Sequence, residues 1–211
     1  MAAFAAAIEA GHGIECDVRV SRDGVAFVFH DADLGRMTGR DGSVEGLAAA
    51  ALDRMRLPDG GPVPRLSALL ALCGGRVPLL IEMKARGWTV GPLCRAVAAE
   101  LIGWNDAPIG LMSFNPRAVW RLREQRAGQL FGLVVTRRGK RRLRGAIERR
   151  LALWMANPDF LACDICDLPS RLSRQARARG MPVLTWTVRS AAERARAAAY
   201  ADQIIHEAPH D

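Results

Sequence analysis

From Val77 to the C-terminus, short apolar runs rich in β-branched residues alternate with helical runs, and this alternation predicts a parallel α/β sheet. Residues 77–84 read as a buried strand, 89–102 as a helix, 108–112 as a strand, and 116–125 as a helix that Asn115 caps. Strands are then expected at 130–135, 160–163, 183–188 and 201–206, with helices at 141–155, 169–179 and 191–199. Such units suit a closed barrel and an open doubly wound sheet alike, and periodicity alone does not choose. At 211 residues, 50% of them apolar, the chain can bury a sizeable core. No low-complexity linker divides it, so a single domain over 1–211 is the economical expectation.

The N-terminal third follows a different pattern. Residues 2–10 read as a helix, and the stretch GIECDVRVSRDGVAFVFHD at 13–31 reads as a β-hairpin with a turn at Asp23-Gly24. A two-residue turn there sets Asp17 opposite His30, and period-two alternation puts Glu15 on the face of Asp17. Ile14, Cys16, Val18 and Val20 then form the apolar face. The plain alternative is that Glu15 and Asp17 are the solvated side of a half-exposed strand. Against it, the buried run at 77–84 also ends in a carboxylate and a cation, Glu82 and Lys84, two apart and on one side. Three carboxylates and a histidine at strand ends suit a hard divalent cation bound through oxygen.

Charge and cysteine usage limit the function classes. No run of eighteen or more apolar residues occurs, so no transmembrane helix is expected, and residues near Met1 lack a basic region followed by an apolar one. Five scattered cysteines without framework spacing argue for reduced thiols and a cytoplasmic setting. Cys163 and Cys166 have C-x-x-C spacing but no second pair, so zinc or redox use is not the expected reading. Net charge is +8, and a dense arginine tract runs from Arg137 to Arg144, with Arg149 and Arg150 beyond it beside Trp154. A solvated helix face explains such a tract, and so does peripheral contact with an anionic membrane. No nucleic-acid motif accompanies it, which makes nucleic acid an unlikely partner.

The motifs I-E-C-D-V, D-G-V and H-D, followed about fifty residues later by I-E-M-K, resemble the glycerophosphodiester phosphodiesterase family. The supporting marks are M-S-F-N-P and P-V-L-T-W-T-V, and the likeness spans nearly the whole chain. It implies a TIM-barrel-like fold with a small insertion at about 32–64 after the first hairpin. It also implies hydrolysis of a glycerophosphodiester to glycerol 3-phosphate and an alcohol, with Mg²⁺ or Ca²⁺. By this resemblance Glu15, Asp17 and Glu82 match the metal carboxylates, His30 a catalytic histidine, and Lys84 a cation near the phosphate. Trp186 falls on a barrel strand near the mouth, where a core aromatic is the equal alternative.

The chain also departs from the family pattern. Family members open with a strand ending in His-Arg-Gly, which supplies a second catalytic histidine and a phosphate-binding arginine, and no such motif occurs here. His12, His206 and His210 are not convincing replacements, and His206 is expected to be solvated. A barrel short of one strand has two unpaired edges, so the natural protein is expected to extend about 30 residues upstream, one β/α unit, with Met1 a misassigned start. The competing expectation is a truncated relative with impaired activity, or a noncatalytic basic module that binds anionic lipid headgroups or nucleic acid. Oligomeric state is silent in the sequence.

Overall fold

The computed structural model describes residues 1–126, 128–139 and 142–207. The chain forms an eight-stranded, mostly parallel sheet curled into a half-barrel, in the order β2-β1-β3-β4-β5-β6-β7-β8. The strands are β1 (Ile14–Val20), β2 (Ala26–Val28), β3 (Leu79–Met83), β4 (Ile109–Ser113), β5 (Leu130–Val135), β6 (Phe160–Asp164), β7 (Val183–Val188) and β8 (Gln203–His206). The long helices are α1 (Ala2–Glu9), α4 (Leu66–Cys73), α5 (Gly91–Glu100), α6 (Pro116–Gln125), α7 (Arg142–Ala156), α8 (Arg171–Ala178) and α9 (Ala191–Tyr200); two four-residue helices, α2 (Gly35–Thr38) and α3 (Ala49–Leu52), lie after β2.

Local chemistry sets several of these boundaries. The Asn115 side chain accepts from the Arg117 N–H, and Pro116 follows it at the first helical position. Ser170 and Ser190 each close a capping box at the starts of α8 and α9. No sequence expectation covered α4, because LSALLALC is apolar almost all round and carries no helical period to separate it from a strand.

Alternation along each strand builds two layers. Ile14, Cys16 and Val18 of β1, with Leu79 and Ile81 of β3, pack outward into the main core beneath the helices. The inner face holds a smaller cluster of Met112, Val134, Phe160 and Ala162. Gly132 leaves room there, since a Cβ on it would lie 2.1 Å from the Phe160 ring and force the ring to shift. The segment between β2 and α4 has its own apolar cluster, in which Phe27, Phe29, Leu34, Val44, Leu52 and Val63 are buried.

The hairpin register differs from the expected one. Ser21 N donates to Val25 O and Ser21 Oγ accepts from Val25 N, so the loop holds three residues, Arg22 to Gly24, with Gly24 at φ 91°. A three-residue loop closing on a left-handed glycine shifts every pair by one. Val18 faces Val28, and Phe29 N donates to Asp17 O, so Phe29 rather than His30 stands opposite Asp17. The turn is held this way because Asp23 Oδ1 accepts from both Ser21 Oγ and the Ala49 N–H, which ties it to the segment between β2 and α4.

The sheet is open between β1 and β8 among the described residues. β3 pairs with β1 along Ile14–Val18, and β2 covers the other edge only over Val18–Val20. His12, just before β1, and His206, at the end of β8, meet edge to face with ring centroids 5.9 Å apart. Both are exposed, as expected for His206. Lys140, Arg141 and His210 lie outside the described residues.

Candidate active site

Glu82 lies near the C-terminal end of β3, and the parallel pairing with β1 brings it beside the acidic residues Glu15 and Asp17 in the first half of that strand. The strand register sets Asp17 directly beside Glu82, with Glu15 two residues below Asp17 on the same face. Each of Glu15, Asp17 and Glu82 offers an oxygen, and the three oxygens lie within 4.8 Å of one another, a grouping that could hold a metal ion. Lys84 Nζ sits 2.9 Å from Asp17 Oδ1 and 2.7 Å from Glu82 Oε1. The second contact has the distance of an ion pair but misses hydrogen-bond geometry, so Glu82 Oε1 is buried with a charge partner and no donor.

The electrostatics follow from crowding. Burial pushes the Glu15 carboxyl up to about 8, and the neighbouring charges of Asp17 and Glu82 add to the effect against Lys84. Burial also raises Glu82, with Lys84 opposing. For Lys84, burial disfavours the ammonium, but Asp17 and Glu82 outweigh it and raise its pKa. Three carboxylates and one lysine leave an excess of negative charge in a partly desolvated corner. Carboxyl groups crowded this closely, with Glu15 pushed up to about 8, suit a hard cation that would offset their charge.

His30 reaches the same mouth by another route. Past Phe29, which packs into the apolar cluster between β2 and α4, the chain leaves β1, and His30 follows at the rim with 64% of its side chain exposed. The buried Arg19 guanidinium donates from Nε and Nη2 to the His30 carbonyl and from Nη1 to Glu45 Oε1, at 3.2, 2.9 and 2.8 Å. His30 Nδ1 is 2.8 Å from Asp31 Oδ1, and Arg36 Nε donates to Asp31 Oδ2 at 2.6 Å. The bonds from Arg36 and His30 hold the Asp31 carboxyl down at about 2. An ionised Asp31 can only accept, so His30 Nδ1 carries the hydrogen of this bond and Nε2 is left for proton exchange with a ligand.

A cavity of about 1280 Å³ unites these groups. Glu15, Asp17, His30, Glu82, Lys84 and Trp186, the six residues singled out from the sequence, all line it. Trp186 donates from Nε1 to the Ala162 carbonyl at 3.1 Å and meets Phe114 edge to face at 5.5 Å. It packs on the inner cluster and also lines the cavity. Sequence reasoning assigned no role to Asp31, Arg36, Arg19 or Phe114. Asp31 stands inside the quoted H-D pair, so its adjacency to His30 was the available signal. Arg19 and Glu45 meet only through the tertiary fold. Cys163 is buried, and burial with nearby Asp167 and Asp164 raises its thiol to about 12, while Cys166 is exposed; both are free.

Parallel strands converging on an acidic corner with a lysine and a histidine at its rim have the arrangement of a barrel-type enzyme suited to phosphoester chemistry. The chain belongs to the glycerophosphoryl diester phosphodiesterase family, whose sequence profile matches residues 1–206. It is 27% identical over 212 aligned residues to a Mycobacterium tuberculosis protein named "Probable glycerophosphodiester phosphodiesterase 1", covering 89% of this chain and 76% of that one. Among solved structures, it is similar to an Oleispira antarctica phosphodiesterase in complex with the product sn-glycerol-3-phosphate, with TM-score 0.83 and 21% identity over 97% of this chain and 85% of the other. A Thermotoga maritima glycerophosphodiester phosphodiesterase superposes with TM-score 0.74 at 24% identity, over 97% and 86% of the two chains. These likenesses support the half-barrel as a member of the TIM-barrel-like architecture of the family.

Proposed function

We propose that this chain hydrolyses glycerophosphodiesters to glycerol 3-phosphate and an alcohol, with Glu15, Asp17 and Glu82 holding Mg²⁺ or Ca²⁺. The observation that carries the reading is the meeting of three carboxylate oxygens within 4.8 Å beside Lys84. A bound divalent ion would supply charge neutralisation for the phosphoryl oxygens. Lys84 supplies a further positive charge and holds Asp17 and Glu82 in place. His30 moves a proton at Nε2, while Asp31 and Arg36 fix its orientation and Arg19 anchors its backbone. Trp186 and Phe114 give the substrate an apolar wall. His30 is the one histidine lining the cavity among the described residues, which supports slower turnover than a site with histidines on both sides of phosphorus. Glycerol 3-phosphate release from glycerophosphocholine, with Mg²⁺ or Ca²⁺ and then with a chelator, tests the reading; release that persists in chelator removes the metal from it.

The same reading takes residues 1–211 as one domain with 32–64 as its insertion, acting in the cytoplasm, where five free cysteines stay reduced. Peripheral contact with an anionic bilayer is supported by α7, whose Ile147, Leu151 and Trp154 are 61, 58 and 80% exposed at helical spacing beside the exposed Arg150. This exposed face also favours the second reading, a noncatalytic basic module for anionic headgroups. Salt-sensitive sedimentation with anionic vesicles by a chain that releases no glycerol 3-phosphate would select it.

A further inference from the structure

Beside the mouth lies a second, smaller cavity of about 220 Å³, between the C-terminal ends of β5 and β6 and the helices α7 and α8. Arg137, Arg149 and Arg171 line it, and none of the three has a side-chain partner among the described residues. Several arginines elsewhere in the fold are paired with carboxylates, Arg19 with Glu45, Arg36 with Asp31, Arg123 with Asp159, Arg177 with Asp202 and Arg189 with Glu207. Arg149 is the telling case, because it is half-buried and lines both cavities without a counter-ion among the described residues.

The acidic and hydroxyl groups nearby do not neutralise this cluster. Among the described residues Asp167 is the single carboxylate lining the small cavity, and its Oδ2 accepts from the Arg137 backbone N–H at 2.6 Å. The Thr136 hydroxyl donates to Asp164, and the Ser170 hydroxyl is engaged in capping α8. Three positive charges therefore face one negative charge in a recess walled on its other sides by Val135, Cys163 and Leu172. Guanidinium forks favour anions that offer several oxygens, and apolar walls strengthen the attraction.

We propose that this side cavity binds a phosphate monoester dianion. Two sources share that chemistry. One is a phosphate carried on the leaving alcohol of a diester seated in the mouth, since Arg137 and Arg149 line both spaces. The other is free phosphate. Only the first source rests on the reading of the mouth as a hydrolytic site.

Calorimetric titration of the full chain with inorganic phosphate tests the site, using the wild type, a double Arg149→Ala/Arg171→Ala variant, and Lys84→Ala. Binding should weaken at least about tenfold in the double variant, from the loss of charge-assisted hydrogen bonds, and persist in Lys84→Ala. Should the double variant fail to fold, Arg171→Gln at an exposed position is expected to weaken binding to a smaller degree. No binding by the wild type, equal binding by the arginine variants, or loss of binding in Lys84→Ala alone would overturn the proposal. A second arm separates the sources through kcat/KM for glycerophosphoinositol against its 4-phosphate. A preference for the 4-phosphate that falls in the double variant assigns the site to the substrate, whereas equal values with retained phosphate binding assign it to free phosphate. If neither diester is turned over, the hydrolytic reading fails while the titration still decides the cavity.

Discussion

The two walls of the mouth solve opposite electrostatic problems. On the β1 and β3 side, carboxylates and Lys84 are locked together on adjacent strands, with Glu15 pushed up to about 8 by burial and its neighbours. On the β5 and α7 side, Arg137, Arg138 and Arg149 stand on a loop and a helix without ion pairs among the described residues. The acidic wall is a rigid site with too much negative charge, and the arginine wall is an adaptable one with too much positive charge. Each therefore calls for a ligand of the other sign, and the first has its geometry already set by strand register.

Substitutions should separate the walls sharply. Asp17→Asn or Glu82→Gln should have the largest effect, lowering turnover about 10³-fold or more, as expected when the charge that orients a metal and phosphoryl group is removed. His30→Ala should cost about 10²–10⁴-fold in kcat, the range for a lost general acid or base, and Asp31→Asn about 10–100-fold with an altered pH profile. Equal losses from Arg138→Ala, on the other wall, would erase the distinction. The arginine wall is otherwise expected to show smaller effects that vanish at high salt, checked by kcat/KM over an ionic-strength series.

The acidic wall should also govern stability against pH. Its Glu15 pKa of about 8 in the fold lies above the ordinary 4.5, so the metal-free folded protein keeps a proton that the unfolded chain releases between those values. The Glu15 contribution to stability is thus full below about 4.5 and is lost as pH rises through 8, with Glu82 raised in the same direction. Thermal melts of chelated protein across that window should show the decline, and added Mg²⁺ or Ca²⁺ should offset it. A flat profile would mean that the carboxylates are less crowded than their geometry indicates. Below both walls, Gly132→Ala should destabilise the fold by about 1–3 kcal/mol by driving a methyl into Phe160, measured by urea unfolding.

How far the sequence was legible follows the same division. Period-two alternation and short apolar runs located Glu15, Asp17, Glu82 and Lys84 on or just past their strands, because the side-chain direction of a strand is set by parity. Leu130–Val135, Val183–Val188 and Pro116–Gln125 coincide with their expected spans, each bounded by a cap or a turn. The hairpin failed by one residue because loop length depended on Asp23 reaching Ala49, a contact remote in sequence. His30 still lines the mouth, though through the Arg19 and Glu45 bridge rather than through cross-strand pairing. The arginine wall was legible as charge and not as a cavity, since Arg149 and Arg171 meet only through the packing of α7 and α8 around β5 and β6.

The most direct measurement is glycerol 3-phosphate release from glycerophosphocholine by this chain, with and without Mg²⁺ or Ca²⁺, in wild type, Glu82→Gln and His30→Ala. Release that needs the divalent ion and falls by at least about 10²-fold in both variants is the predicted result. Release that ignores the ion, or survives both substitutions, would contradict the assignment of hydrolysis to the acidic corner and its neighbouring histidine.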